Sequence, residues 1–240
     1  MDQKTIRKVL KTKLKEITDA LYDLEVLLGQ LEGEFFRVCI FGSARIRPDD
    51  QLYQTVEHLA YLLALENIDV VTGGGPGLME AANKGAQRGK TAANSSSRSI
   101  GLPITLPTET GPNPHLDVKS HHRKFSTRLD EFMRISNAVV VTLGGIGTLL
   151  EFFFTWQLLQ MGHISERPII LLGRDFWRGL LDWIEKEQLS RHLLSKKDLR
   201  HLHLVDTPEE ALAIIRPVYA AFRKQQRSSN RTKKERKRST

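Results

Sequence analysis

The chain has 240 residues, with 40% hydrophobic and 27% charged side chains, and this balance is typical of a folded globular protein. Its single cysteine, Cys39, excludes an intramolecular disulfide scaffold and a cysteine-rich zinc cluster, and its position in an apolar run predicts a small buried hydrophobe. The formal net charge of +8 comes from the C-terminal segment, because residues 223–240 carry nine Lys or Arg and one Glu, whereas residues 1–222 carry 27 basic and 27 acidic side chains.

The first predicted element is an amphipathic helix within residues 1–34. Six leucines and Ile17 follow a 4-3-4-3 spacing between Leu10 and Leu31, which is the a/d pattern of a heptad repeat. Gly33 is expected to end the helix. The pattern spans only about three heptads, which favours docking on the chain's own domain over an intermolecular coiled coil. Both interpretations stay open from the sequence.

Residues 35–222 are predicted to form one doubly wound (Rossmann-like) α/β domain with a parallel sheet. Their short apolar runs alternate with helical stretches, and the runs are continuously apolar, as strands covered on both faces require. Such strands are parallel and are joined by helical crossovers. Residues 105–118, which contain three Pro and one Gly, form a long irregular connection where open α/β sheets place ligand loops. The predicted strands are 37–41, 68–72, 99–103, 138–143, 168–172 and 203–205, and the predicted helices are 53–65, 78–88, 124–135, 148–161, 176–187 and 208–222.

Residues 223–240 lack apolar periodicity and are predicted to form a basic tail that is either disordered or the frayed end of a helix. The tail could contact nucleic acid through its positive charge, but it has no aromatic residue to stack on bases, which favours a simply solvated tail. No run of about 18 apolar residues is present, and the N-terminal residues are charged, so we expect no membrane span, no signal peptide and a cytoplasmic location. No His, Asp or Glu cluster with metal-ligand spacing is visible, so no metal and no other cofactor is expected.

Two glycine-rich segments each join a predicted strand to a predicted helix. They are residues 73–80, Gly-Gly-Gly-Pro-Gly-Leu-Met-Glu, and residues 143–151, Leu-Gly-Gly-Ile-Gly-Thr-Leu-Leu-Glu. Glycine allows a tight turn and the close approach of a ligand, while the free N–H groups and dipole of the following helix attract an anion. The segments therefore predict a phosphate site. A turn that needs glycine only for its own geometry is the alternative for one such segment, and the presence of two weakens it.

Neither segment matches a standard nucleotide-binding fingerprint. Leu78 and Leu150 stand where a dinucleotide motif has its third glycine, and neither segment ends in the Lys-Ser/Thr of a P-loop. Redox chemistry and phosphoryl transfer are therefore disfavoured. Glu151 lies about one helical turn from the expected phosphate, where a carboxylate could meet the attached sugar and stabilise an oxocarbenium-like transition state. Taken alone, such a Glu is more simply a partner of the helix dipole.

Together with Phe-Gly-Ser-Ala-Arg at residues 41–45, the two segments resemble the Lonely Guy (LOG) family, whose members are often mislabelled lysine decarboxylases. The resemblance runs in order from about residue 37 to about residue 221. It implies a nucleoside 5′-monophosphate phosphoribohydrolase, which cleaves the N-glycosidic bond of an AMP-like or cytokinin riboside monophosphate to release base and ribose 5-phosphate. It also implies a homodimer whose helices meet near the active sites. Nothing marks the Schiff-base lysine that a pyridoxal-dependent decarboxylase needs. A nucleotide-binding protein of the same fold without catalysis is the alternative.

The resemblance also assigns site residues. Glu151 matches the family's catalytic Glu, and the family's catalytic Arg, fifteen residues before the second segment begins, falls on Arg128. The dipeptide Arg123-Lys124 looks like the family's Arg-Lys but stands five residues too early. Leu143 and Leu129 replace the family's Pro and Lys, and both changes could lower activity. The implied phosphate-binding residues are Gly144, Gly145, Ile146, Gly147 and Thr148, and the implied nucleotide cleft contains Ser43, Gly73, Gly74, Gly75, Gly77 and Met79.

Overall fold

A computed structural model describes residues 3–32, 35–104 and 111–238 of the chain. The chain divides into two compact units, residues 1–35 and 36–240. The first unit contains one long helix, α1 (Gln3–Glu32), as the heptad spacing predicts. Gly33, the expected helix end, lies outside the described residues.

The second unit is built on a seven-stranded sheet in which all neighbouring strands run parallel. The strand order β4-β3-β2-β1-β5-β6-β7 confirms the predicted doubly wound α/β fold. Six of the strands coincide with predicted apolar runs, and β4 was not predicted. The strands are β1 (Arg37–Phe41), β2 (Asp69–Thr72), β3 (Ser99–Gly101), β4 (Val118–Lys119), β5 (Ala138–Val141), β6 (Ile169–Leu172) and β7 (Leu202–Val205).

Helices cover both faces of this sheet, and each face has its own apolar core. Along β1, Val38 and Ile40 face one core, which also contains side chains of α2, α3 and α8, whereas Cys39 and Phe41 face the other, with side chains of α4, α5 and α6. The helices are α2 (Gln51–Leu65), α3 (Leu78–Ala93), α4 (Phe125–Ile135), α5 (Ile146–Gln160), α6 (Arg174–Trp183) with a π-helical continuation (Ile184–Leu189), α7 (Lys196–Leu199) and α8 (Pro208–Arg238).

The last helix decides between the two alternatives for the basic tail. In place of a disordered tail, α8 continues through Arg238, as the helix-end alternative predicts. The physical reason lies in the composition, since the segment has neither Pro nor Gly and is rich in Lys, Arg and Gln, which are good helix formers. Among the described residues, no helix is long and apolar enough to cross a membrane.

The carboxyl ends of β1, β2 and β5 mark the place where an open α/β sheet binds ligands. Strands β2 to β4 are added on one side of β1, and strands β5 to β7 are added on the other side. The β1–β5 pair is therefore the topological switch point of the sheet. Both glycine-rich segments begin here, one after β2 and one after β5. The predicted irregular connection 105–118 approaches the same edge but is described only from Gly111 onward, since residues 105–110 lie outside the described part.

Candidate active site

The second glycine-rich turn leaves a row of backbone donors at the start of α5. The first helical hydrogen bond joins the Leu149 N–H to the Gly145 carbonyl at 3.0 Å, so the N–H groups of residues 145–148 have no acceptor within the helix. A Cβ added to Gly145 or Gly147 would meet nothing within 4 Å. Open space above unpaired donors at a positive helix end can accept an anion such as phosphate.

Gly144 has a different role in the same turn. A Cβ at this position would lie 2.1 Å from Oγ1 of Thr148, whose side chain is buried against it. Only glycine lets the chain pass this close to Thr148. The turn is therefore tightly packed at Gly144 and open at Gly145 and Gly147.

The first glycine-rich turn is joined to the second through Ser43. Gly74 and Gly77 have positive φ angles of 74° and 69°, the left-handed region that favours glycine. The N–H of Leu78 donates to the Ser43 carbonyl at 2.9 Å, and the N–H of Ser43 donates to the Leu143 carbonyl at 3.0 Å. Leu143 thus provides this link although it replaces the family's proline. The loop after β1 holds the two glycine turns side by side.

Arg128 of α4 reaches into the space between the turns. Its Nε donates to the Leu102 carbonyl at 2.6 Å and its Nη2 to the Gly73 carbonyl at 3.4 Å. Its Nη1 lies 3.7 Å from Oε1 of Glu151, an ion-pair distance longer than a hydrogen bond. The guanidinium also lies over the Phe132 ring, 5.1 Å from its centroid. These four contacts fix the guanidinium in one place.

The structure therefore brings Arg128 next to Glu151, as the spacing of the motif implies. Arg123, the other candidate, has an exposed side chain. Leu129, which stands where the family has Lys, is a buried apolar side chain and supplies no charge.

Glu151 is a largely buried carboxyl group with an altered ionisation. Burial raises its pKa from 4.5 to about 7, and the positive charge of Arg128 opposes that rise. Cys39 lies fully buried, and burial together with the charge of Glu151 raises the pKa of its thiol. Cys39 thus behaves as the neutral buried hydrophobe expected from the sequence, whereas Glu151 can exchange a proton near neutral pH.

A buried amide network holds the first turn, and the sequence reasoning missed it. The N–H of Asn113 donates to the Gly74 carbonyl at 2.8 Å, and its Nδ2 lies 2.9 Å from both the Gly75 carbonyl and Oδ1 of Asn83. Asn83 also accepts a hydrogen bond from the Thr72 hydroxyl at 2.7 Å. The one available signal was an Asn between two prolines in the predicted ligand loop.

The remaining predicted cleft residues lie around the two turns. A Cβ added to Gly73 would lie 2.7 Å from the sulfur of Met79. A Cβ added to Gly77 would lie 2.5 Å from the carbonyl oxygen of Ser43. In the parts of the chain that are described, no group of three or more His, Cys, Asp or Glu side chains is arranged to hold a metal ion.

The parallel sheet, its switch point and the paired glycine turns define a Rossmann-like α/β protein with a candidate anion site at the carboxyl edge of the sheet. A sequence model of the family described as "Possible lysine decarboxylase" matches residues 79–215, which is more than half of the chain. The chain belongs to this family, which is the Lonely Guy (LOG) family suggested by the motifs.

Two relatives agree with this assignment, and one solved structure shares the fold. The chain is 28% identical over 177 residues to a pyrimidine/purine nucleotide 5′-monophosphate nucleosidase of Escherichia coli, and the match covers 70% of this chain but 37% of that protein. It is 32% identical to "Probable cytokinin riboside 5′-monophosphate phosphoribohydrolase LOGL2" of Oryza sativa subsp. japonica, with 82% of this chain and 78% of that protein covered. The structure of a molybdenum cofactor binding protein from Rippkaea orientalis has the same fold, with a TM-score of 0.52, 22% identity and coverage of 77% and 98% of the two chains.

Proposed function

We propose that the protein hydrolyses the N-glycosidic bond of a nucleoside 5′-monophosphate to give a free base and ribose 5-phosphate. The observation that carries the proposal is the Arg128–Glu151 pair, with 3.7 Å between Nη1 and Oε1, one helical turn inside the open glycine turn of α5. The names of the relatives from Escherichia coli and Oryza sativa support this reaction class.

The proposed mechanism starts with the phosphate. Backbone N–H groups of residues 145–148 and the Thr148 hydroxyl bind the 5′-phosphate, and the first glycine turn with Ser43 and Met79 shapes the rest of the cleft. The ribose then lies over Glu151. The ionised carboxylate binds the ribose hydroxyls, stabilises positive charge developing at C1′ and accepts a proton from the attacking water. The water oxygen forms a bond to C1′ while the bond from C1′ to the base nitrogen breaks. The proton that Glu151 took from the water then passes through solvent to the base nitrogen, which restores the carboxylate.

Arg128 has a supporting part in this proposal. Its charge lowers the pKa of Glu151 against the effect of burial, so that a useful fraction of the carboxylate is ionised at neutral pH. Its bonds to the carbonyls of Leu102 and Gly73 hold the guanidinium in a fixed position beside Glu151. This preorganisation is what electrostatic catalysis requires.

The preferred base and the assembly also belong to the proposal. We infer an AMP-like or cytokinin riboside monophosphate as substrate, and a homodimer formed through helices next to the site. Three apolar side chains on α5 support such a contact, since Ile146, Leu150 and Phe153 are 83%, 46% and 39% exposed.

A panel of nucleoside 5′-monophosphates, with the matching nucleosides as controls, tests the reaction by chromatographic detection of free base. We expect base from monophosphates only. Glu151→Gln should lower turnover at least about 100-fold, because it keeps the shape of the side chain but removes its base function. Full turnover by this variant would exclude the assigned role of Glu151.

Arg128→Gln and Arg123→Gln form a matched pair for the arginine. We expect a large loss of turnover for the first and little change for the second, whose side chain is exposed. The opposite result would transfer the role to Arg123. Nucleotide binding without base release by the unmodified chain would instead favour a binding protein of the same fold.

A further inference from the structure

The charges of α1 are completely separated along the helix. Residues 3–15 carry six Lys or Arg and no acidic residue, whereas residues 16–32 carry five Asp or Glu and no basic residue. The first turn of α1 has no acidic residue and the last turn has no basic one. This order opposes the helix dipole, which favours acidic residues near the N-terminus and basic ones near the C-terminus. The helix therefore has charges that oppose its dipole, although Lys13 and Glu16 form an ion pair at 2.7 Å where the two halves meet.

The heptad seam of α1 is open to solvent along much of its length. Leu10, Leu14, Ile17 and Leu24 are 63%, 66%, 58% and 56% exposed. An a/d stripe of leucine and isoleucine is stable in water only when another helix or surface covers it. The seam and the separated charges together define what such a partner must offer.

We propose that the seam of α1 binds α1 of a second copy of this chain, in antiparallel orientation. Antiparallel pairing places the basic half of each helix against the acidic half of the other and opposes the two helix dipoles. Parallel pairing would place six basic residues against six basic residues. The basic segment 223–238 of α8 does not fit the seam, because it contains no apolar residue to pack there.

The heptad spacing also gives the alignment. Leu10, Ile17 and Leu24 occupy d positions and Leu14, Leu21 and Leu28 occupy a positions, and an antiparallel pair packs a against d. With Ile17 aligned to Leu21 of the partner subunit, the e positions place Lys11 opposite Glu25 of the partner subunit and Lys4 opposite Glu32 of the partner subunit. The two-fold axis makes each of these ion pairs occur twice.

Single cysteines in the full-length chain distinguish the possible arrangements. Ala20 occupies a g position, and g positions face each other in an antiparallel pair, so in the proposed alignment Ala20 lies opposite its own copy across the two-fold axis. Leu14, at an a position, lies opposite Leu24 of the partner subunit. We expect Ala20→Cys to give a covalent dimer with a mild oxidant or a short bismaleimide, and Leu14→Cys to give none. Thr12→Cys, on the outer face of the helix, is the matched control, and the unmodified chain controls for Cys39, which is buried.

Cross-linking of Leu14→Cys but not Ala20→Cys would show a parallel pair and overturn the proposal. If neither Ala20→Cys nor Leu14→Cys forms a cross-link, and both variants have unchanged helical circular dichroism, then α1 does not pair with a second copy. Both results are independent of nucleotide hydrolysis, and they are also independent of any contact through α5.

Charge reversal tests the alignment with the same cross-linking measurement. In the Ala20→Cys background, Lys11→Glu places like charges at two symmetry-related positions, and we expect the chain concentration for half-maximal cross-linking to rise about tenfold. Adding Glu25→Lys should restore the original concentration. Failure of the second reversal to restore cross-linking would contradict this antiparallel alignment.

Discussion

At the scale of a single residue, Glu151 links the chemistry of the site to the stability of the fold. Its pKa is about 7 in the folded protein, against an ordinary value of 4.5, because burial disfavours the charged form. The folded state therefore binds a proton that the unfolded state has lost between these two pH values. By linkage, the free energy of unfolding falls as pH rises through this window, by about 3 kcal/mol in total.

Glu151→Gln should remove this pH dependence. We expect the variant to have a higher free energy of unfolding than the unmodified chain at pH 8, with the difference shrinking towards pH 5, as measured by urea denaturation at each pH. Asp130→Asn, which removes an exposed carboxylate from α4, is the control for loss of charge alone. Parallel stability curves for Glu151→Gln and the unmodified chain would contradict the burial of an ionisable Glu151.

Among the structural elements, the two glycine turns have different roles. Two alanine substitutions can separate these roles. A Cβ on Gly73 would lie 2.2 Å from Nη2 of Arg128, at the movable end of a side chain, so Gly73→Ala should fold but displace the guanidinium. A Cβ on Gly145 would meet nothing within 4 Å, so Gly145→Ala should fold normally and reduce only the space for the ligand.

The kinetic signatures of these variants should differ. Gly73→Ala should lower kcat at least about tenfold and move the midpoint of the kcat–pH profile upward, because Arg128 no longer lowers the pKa of Glu151. Gly145→Ala should mainly raise KM. Steady-state kinetics on the best monophosphate across pH 5 to 9 measure both effects. An unchanged pH midpoint in Gly73→Ala would show that the first turn does not hold Arg128 in place.

The same elements show what the sequence can and cannot predict. Apolar runs and glycine turns are local patterns, so six strands, the sheet class and the position of both turns follow from them. The pairing of Arg128 with Glu151 was implied by the resemblance to the family, because the positions of these two residues relative to the second glycine-rich segment match those of the family's catalytic Arg and Glu. The contacts of Asn113 with Gly75 and Asn83 join residues about 30 or more positions apart and leave no local pattern. Strand β4 has two exposed residues, too few to show periodicity.

Across the chain as a whole, the net positive charge and the folded core lie in different segments. Residues 1–222 have balanced charges, and the excess of positive charge lies beyond them. The rings of Tyr219 and Phe222 lie 5.0 and 5.3 Å from the ring of Phe36, so α8 contributes to the fold up to this point. Arg223 lies over Tyr219 at 5.7 Å. The aromatic contacts of α8 therefore end near Arg223, and eight of the nine basic residues of the C-terminal segment lie beyond this boundary.

Deleting residues 224–240 should leave the thermal midpoint and base release from monophosphates unchanged, because every described site contact lies before this boundary. It should also abolish any binding to a single-stranded RNA oligonucleotide, whose affinity in the full chain should fall steeply with salt, as expected for Lys and Arg contacts to phosphates. Fluorescence anisotropy at several salt concentrations measures that binding, and an uncharged dye-labelled polymer is the control. Loss of base release in the shortened chain would contradict the separation and would place part of the basic segment in the active site.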